Sequence, residues 1–229
     1  MENKLIIVIG AFGSGKSEYS VNLAQELNKN HNNVVLADMD VVNPYFRSRD
    51  VREEFELQGI TVIAPDGQFK HADLPMISPR IRGAIQDKSK NVILDVGGDP
   101  MGCRTLGRFH NDINLRGYEL QLVINTNRPF TSNPNDILVM MDMLQKTSGL
   151  KVTEFICNSN LMQFTDTEVV DTGISIVQEV SELTGIPFRK FLVLEDFAHL
   201  VPDNLQNKER HILHYYLKKP WDTLVMKGI

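Results

Sequence analysis

A chain of 229 residues with 42% hydrophobic and 23% charged side chains has the make-up of an ordinary soluble globular protein, long enough for one sizeable core. A formal charge of −5 argues against a broad, sequence-independent grip on nucleic acid, and no apolar run approaches the ~20 residues that span a bilayer. Met1-Glu2-Asn3-Lys4 leads straight into an apolar stretch, which leaves no room for a signal peptide and sets the expectation of a cytoplasmic protein. Cys103 and Cys157 stand far apart and read as reduced thiols rather than a disulfide or a zinc site; Cys103 follows a glycine turn, which leaves a redox or cluster-ligand role open.

Apolar runs, mostly rich in β-branched residues, recur at Leu5–Ile9, Val34–Ala37, Ile60–Ala64, Val92–Leu94, Leu120–Ile124, Val152–Cys157 and Phe191–Leu194. Segments with helical spacing alternate with them, at Glu18–Asn30, Tyr45–Leu57, Ile77–Gln86, Asn135–Lys146, Glu168–Leu183 and Leu205–Leu217. Gly59, Gly149 and Gly185 stand where helices should end before the next strand. Strands alternating with helices predict an α/β fold: one doubly wound, mostly parallel sheet of about seven strands over residues 1–229, with ligands expected at the carboxyl ends of the strands.

Gly10-Ala11-Phe12-Gly13-Ser14-Gly15-Lys16-Ser17 joins the first strand to the first helix and matches G-x-x-x-x-G-K-[ST], the phosphate-binding loop or Walker A motif. Glycines let backbone N–H groups approach phosphate oxygens, and the helix N-terminus adds partial positive charge. Lys16 would reach the β- and γ-phosphates, while the Ser17 hydroxyl would ligate Mg²⁺. The second strand ends in Asp38-Met39-Asp40, and the fourth in Asp95-Val96-Gly97-Gly98-Asp99-Pro100. Acids at these strand ends suit a Mg²⁺ site. Asp95 and Asp38 would contact the metal's water shell, Asp40 would orient or deprotonate an attacking water, and the Gly98 N–H would meet a γ-phosphate. Any one of these acids alone also suits a helix cap or turn, the lesser reading beside a phosphate loop.

The loop Gly10–Ser17, the D-x-D of Asp38 and Asp40 and the D-x-x-G of Asp95 to Gly98, in that order, resemble the MinD/ParA-like P-loop ATPases, a group related to nitrogenase iron protein and signal-recognition GTPases. The resemblance implies ATP hydrolysis with Mg²⁺, coupled to a conformational or dimerisation switch acting on a protein partner, with Asp40 aligned to the water-activating carboxylate. One position departs from the pattern. The family's signature lysine, which reaches a second subunit's nucleotide, is replaced by Ala11, and this puts a nucleotide-sandwiching homodimer in question. Arg47, Arg49 or Arg128 would be the substitute cations, or else solvated surface arginines.

No N-K-x-D or T-K-x-D stands ready to read guanine, whereas Asn158 falls where the resembling ATPases place an asparagine against adenine, so ATP is expected over GTP. The stretch Pro65–Pro79 reads as a loop for substrate or partner, or as an ordinary connection. Thr105, Arg108, His110 and Asn111 follow the D-x-x-G and would move with nucleotide state, although a histidine such as His110 is more commonly a capping residue. The C-terminal Ile212–Trp221 reads as a helix docked on the sheet, with a membrane-targeting tail as the lesser reading. Beside the ATPase switch stand a small-molecule kinase or ATP-dependent ligase, with Pro65–Pro79 and Asn111–Arg116 as acceptor sites, and a nucleotide-dependent binding module that scarcely hydrolyses.

Overall fold

The structure, a computed structural model, describes residues 3–31, 33–39, 48–64 and 79–217. Nine strands among them form one sheet in the order β3-β2-β4-β1-β5-β6-β7-β9-β8. These are β1 Leu5–Ile9, β2 Val34–Met39, β3 Thr61–Ile63, β4 Asn91–Val96, β5 Glu119–Ile124, β6 Glu154–Cys157, β7 Phe188–Leu194, β8 Asn204–Leu205 and β9 Lys208–Leu213. Every neighbouring pair is parallel except β8 with β9. Strands β1, β2 and β4 are buried at every residue, as strands with helices on both faces must be.

Helices α1 Lys16–Asn30 and α2 Ser48–Leu57 cover one face, and Tyr19, Leu23 and Phe55 enter its core. The other face carries α3 Pro79–Gln86, α4 Pro100–Gly107, α5 His110–Arg116, α6 Pro134–Ser148 and α7 Thr167–Thr184, with Ile85, Leu106, Ile137 and Ile174 in the larger core. Asn133 and Asp166 cap the starts of α6 and α7, and Gly149 and Gly185 end them in left-handed conformation. Arg116 closes the edge of the sheet opposite the phosphate loop. Its guanidinium donates to the carbonyls of Ala84, Ile85 and Asp87 at the end of α3, and to those of Lys4 and Lys90 ahead of β1 and β4.

The seven apolar runs correspond to β1–β7. The region 205–217 read as a helix is instead the hairpin β8–β9 and an extended continuation, which raises the strand count to nine. Gln206 and Asn207 have φ of 48° and 59°, the left-handed pair that a two-residue hairpin demands. Residues 214–217 then run along α1. Asn22 donates to the His214 carbonyl (2.9 Å) and accepts from the His214 N–H (2.8 Å), Glu18 accepts from the Tyr216 N–H (2.6 Å), and the Tyr216 ring meets Phe55 edge-on. Burial pushes the Glu18 carboxyl up to about 7 despite those backbone donors. Residues 218–221 of the Ile212–Trp221 reading lie outside the described residues. No helix among those described is long and apolar enough to cross a membrane.

Candidate functional site

The phosphate loop leaves β1 at its carboxyl end, with the N–H of Ser14 turning back onto the Ala11 carbonyl (3.0 Å). Gly15, at φ 86°, immediately precedes α1, so Lys16 and Ser17 open the helix. Gly10 is wedged against the Val123 carbonyl of β5, and Phe12, 76% exposed, stands at the tip. Lys16 is buried beneath the loop, and Ser17 is partly exposed.

The two expected acids meet across the sheet. Asp38 and Asp95 are register partners in the β2/β4 ladder, both buried, on the face that α1 covers. Parallel neighbours lie about 4.8 Å apart, so the two acids set their oxygens side by side beneath the first turns of α1. The Ser20 hydroxyl of α1 donates to Asp95 Oδ1 (3.2 Å). Among the described residues no group of three or more His, Cys, Asp or Glu side chains gathers to hold a metal by itself. Hard oxygen donors of this kind fit Mg²⁺, which retains several waters and takes phosphate oxygens. Asp40 lies outside the described residues, as do Arg47 and positions 65–78 of the Pro65–Pro79 stretch.

Gly98 touches the loop directly. A methyl at this position would stand 2.2 Å from the Gly10 carbonyl oxygen and 3.1 Å from the Phe12 nitrogen, so only glycine fits. The D-x-x-G segment and the phosphate loop are thus in backbone contact. Asp99 is the N-cap of α4, accepting from the Gly102 N–H (2.6 Å), with Pro100 as the first helical residue.

Two asparagines fasten the loop from the neighbouring strands. Asn158, after β6, donates from Nδ2 to the Ser14 carbonyl (2.7 Å). Asn125, after β5, bonds the Asn160 carbonyl (3.2 Å) and reaches the Gly13 carbonyl at 3.5 Å. Asn125 escaped the sequence reading, although an asparagine ending an apolar strand at the phosphate edge is its visible signal. Ser14 Oγ and Asn158 Oδ1 are buried at the loop and have no hydrogen-bond partner among the described residues. Such atoms are what a cradle shows when part of its complement is a ligand.

Several other expectations resolve as structure. Cys103 and Cys157 are buried free thiols, pushed up to about 12 and about 11 chiefly by burial. His110 sits at the far end of α6, its Nε2 3.2 Å from the Gly149 carbonyl. Thr105 bonds the Gly102 carbonyl within α4. Residues Asn111–Arg116 fall in or beside α5 and lead into the amino-terminal edge of β5. A cleft of about 640 Å³ lined by Arg82, Arg108, His110, Asn111, Lys146 and Gly149 therefore lies a strand's length from the phosphate loop.

The strand order, the loop between β1 and α1 and the acids at the neighbouring strand ends define the P-loop nucleoside triphosphatase fold. No family model matches the sequence, and no curated protein does. Solved structures with the same fold include chloroplast FtsY from Physcomitrella patens, at 17% identity and a TM-score of 0.57 over 83% of this chain and 59% of that one. The cell division protein FtsY of Thermotoga maritima is similar at 23% identity and TM-score 0.55, over 83% of this chain and 62% of that one. The signal recognition particle receptor FtsY of Elizabethkingia anophelis, solved in complex with GDP, is similar at 17% identity and TM-score 0.52, over 84% of this chain and 58% of that one. The chain thus spans about three-fifths of the length of these proteins. At such identities the likeness concerns the fold.

Proposed function

We propose that the chain is a Mg²⁺-dependent ATPase of the MinD/ParA-like type that acts as a nucleotide-controlled switch on a protein partner. The observation that carries this reading is the meeting, at one sheet edge, of the phosphate loop, the paired acids Asp38 and Asp95, and Gly98 in contact with Gly10. In this role Gly10 to Ser17 would cradle the phosphates, Lys16 would neutralise their charge, and Ser17, Asp38 and Asp95 would hold Mg²⁺ and its waters. When bound, Mg²⁺ would supply positive charge against the phosphates. Asp40 orients the attacking water. Gly98, in backbone contact with the loop, passes occupancy of the phosphate site to the segment leading into α4, and the partner senses that segment.

The preference for ATP over GTP rests on the resemblance, which sets Asn158 against adenine; here its Nδ2 donates to the Ser14 carbonyl and fastens the loop.

The test is phosphate release and nucleotide binding with Mg-ATP and Mg-GTP, using wild type, Lys16→Ala and Asp40→Ala. The reading expects ATP binding abolished by Lys16→Ala, with Asp40→Ala binding ATP but releasing no phosphate. GTP preferred over ATP, or Asp40→Ala turning over like wild type, would overturn it. Tight ATP binding without release, even with candidate partners, would favour a binding module.

A further inference from the structure

Arg128 lies on the connection from β5 to α6, at the wall of the phosphate loop opposite α1. We infer that it contacts the outer phosphates of a bound nucleoside triphosphate, supplying within one chain the second cation that the loop itself lacks. The inference rests on the nucleotide reading above.

The backbone that carries Arg128 is held tightly. Its N–H bonds the Asn125 carbonyl (3.2 Å), and the Thr131 hydroxyl bonds the carbonyls of Asn125 (2.6 Å) and Arg128 (3.3 Å). Asn125, whose Oδ1 also accepts from the Asn127 N–H (3.0 Å), ties the same turn to the Gly13 carbonyl. The arginine is therefore fixed at its root to the loop it faces.

Its side chain lies along that loop. A methyl at Gly13 would stand 3.1 Å from Arg128 Nε, 3.4 Å from Cζ and 3.5 Å from Cδ. Glycine at position 13, with φ 75°, leaves the space the guanidinium occupies. Among the described residues this guanidinium has no hydrogen bond or ion pair, as is also true of the exposed Arg104 and Arg108, so what sets Arg128 apart is its place against the loop. An exposed arginine held against a phosphate loop with its donors uncommitted is arranged for an anion, and its planar fork matches phosphate oxygens bidentately.

Lys16 is the single cation of Gly10–Ser17, and it comes from the helix side. Arg128 approaches from the strand side, beside residue 13, so the two cations flank the phosphate chain. The α- and β-phosphates are already served by loop N–H groups and the helix terminus, so the third phosphate has most to gain from Arg128.

The test is calorimetric titration of wild type, Arg128→Ala, Arg128→Lys and Lys16→Ala with ADP and with a non-hydrolysable ATP analogue, each with Mg²⁺. A charge-assisted contact is worth about ten- to a hundredfold in affinity. Arg128→Ala should therefore lose at least about tenfold for the analogue while its ADP affinity stays within about twofold, and Arg128→Lys should fall between. Equal loss for both ligands, or no loss for either, would overturn the assignment. Wild type failing to bind either nucleotide would instead overturn the nucleotide reading itself, and the role of Arg128 with it. Phosphate release per chain should also be independent of protein concentration; a rate rising steeply with concentration would place the second cation on another copy and refute the inference.

Discussion

Replacing Glu18 by glutamine should stabilise the nucleotide-free protein at about pH 8 and do almost nothing near pH 4.5, the ordinary midpoint of a glutamate. The side chain is only partly exposed, and the backbone N–H groups of Tyr216 and Leu217 face it at 2.6 and 3.4 Å. Burial outweighs those donors and raises the carboxyl from 4.5 to about 7. The folded state therefore holds its proton over a pH range in which the unfolded chain has released it. Stability from this group is intact below 4.5, declines as pH rises from there to about 7, and stays reduced above. At about 1.4 kcal/mol per pKa unit, the full penalty is about 3 kcal/mol. Glutamine keeps an acceptor oxygen for Tyr216 and carries no charge to desolvate. Urea midpoints of both proteins at about pH 5 and about pH 8 give the comparison, with the gap expected to open by about 2–3 kcal/mol between the two. A gap of the same size at both values, or a glutamine variant weaker at the higher one, would refute the reasoning.

Gly98→Ala should keep its far-UV circular dichroism yet bind nucleotide at least about tenfold more weakly, since the new methyl forces the loop backbone aside; unchanged affinity would show that the D-x-x-G segment and the loop do not touch in solution. Arg116→Ala removes the donors that close the end of α3, and the expected loss of about 3 kcal/mol corresponds to a fall in Tm of about 6–12 °C. A shift below about 2 °C would mean that water replaces the guanidinium at little cost. Both cysteines should resist Ellman's reagent in the native protein and react fully in denaturant; rapid native labelling would contradict the burial of Cys103 and Cys157.

Much of the fold is legible in the sequence because β1–β7 are continuous apolar runs between helical segments, and central parallel strands buried on both faces leave no other pattern. The hairpin β8–β9 is not legible in that way. Lys208-Glu209-Arg210-His211-Ile212-Leu213 lies near the sheet edge with charged side chains along it, and Leu205, Ile212, Leu213, Tyr216 and Leu217 fall by chance at helical intervals. The local cue was Gln206-Asn207, a weaker hairpin signal than Asn-Gly. Helices α4 and α5, at eight and seven residues, are too short for periodicity to reveal, though Asp99-Pro100 announces the first of them. At the site, Lys16, Asp38, Asp95 and Gly98 were readable because strand-end position and motif agree. Arg128 was one of three arginines named as a cation near the site, but which of them meets the loop was not readable, because the reach of an arginine from one loop to another depends on backbone turns that no spacing encodes.

The grip of Asn22 on His214 joins residues 192 positions apart, and Glu18 reaches 198 positions to Tyr216. During synthesis the helix that opens with Lys16 is therefore made long before its last neighbours emerge from the ribosome. Until then Asn22 lacks its backbone partner, and Phe55 lacks the ring that packs against it. A nascent chain stopped short of residue 214 would carry every residue of the phosphate loop but not the segment that braces its helix. The bracing of α1 thus waits on residues made almost two hundred positions after it.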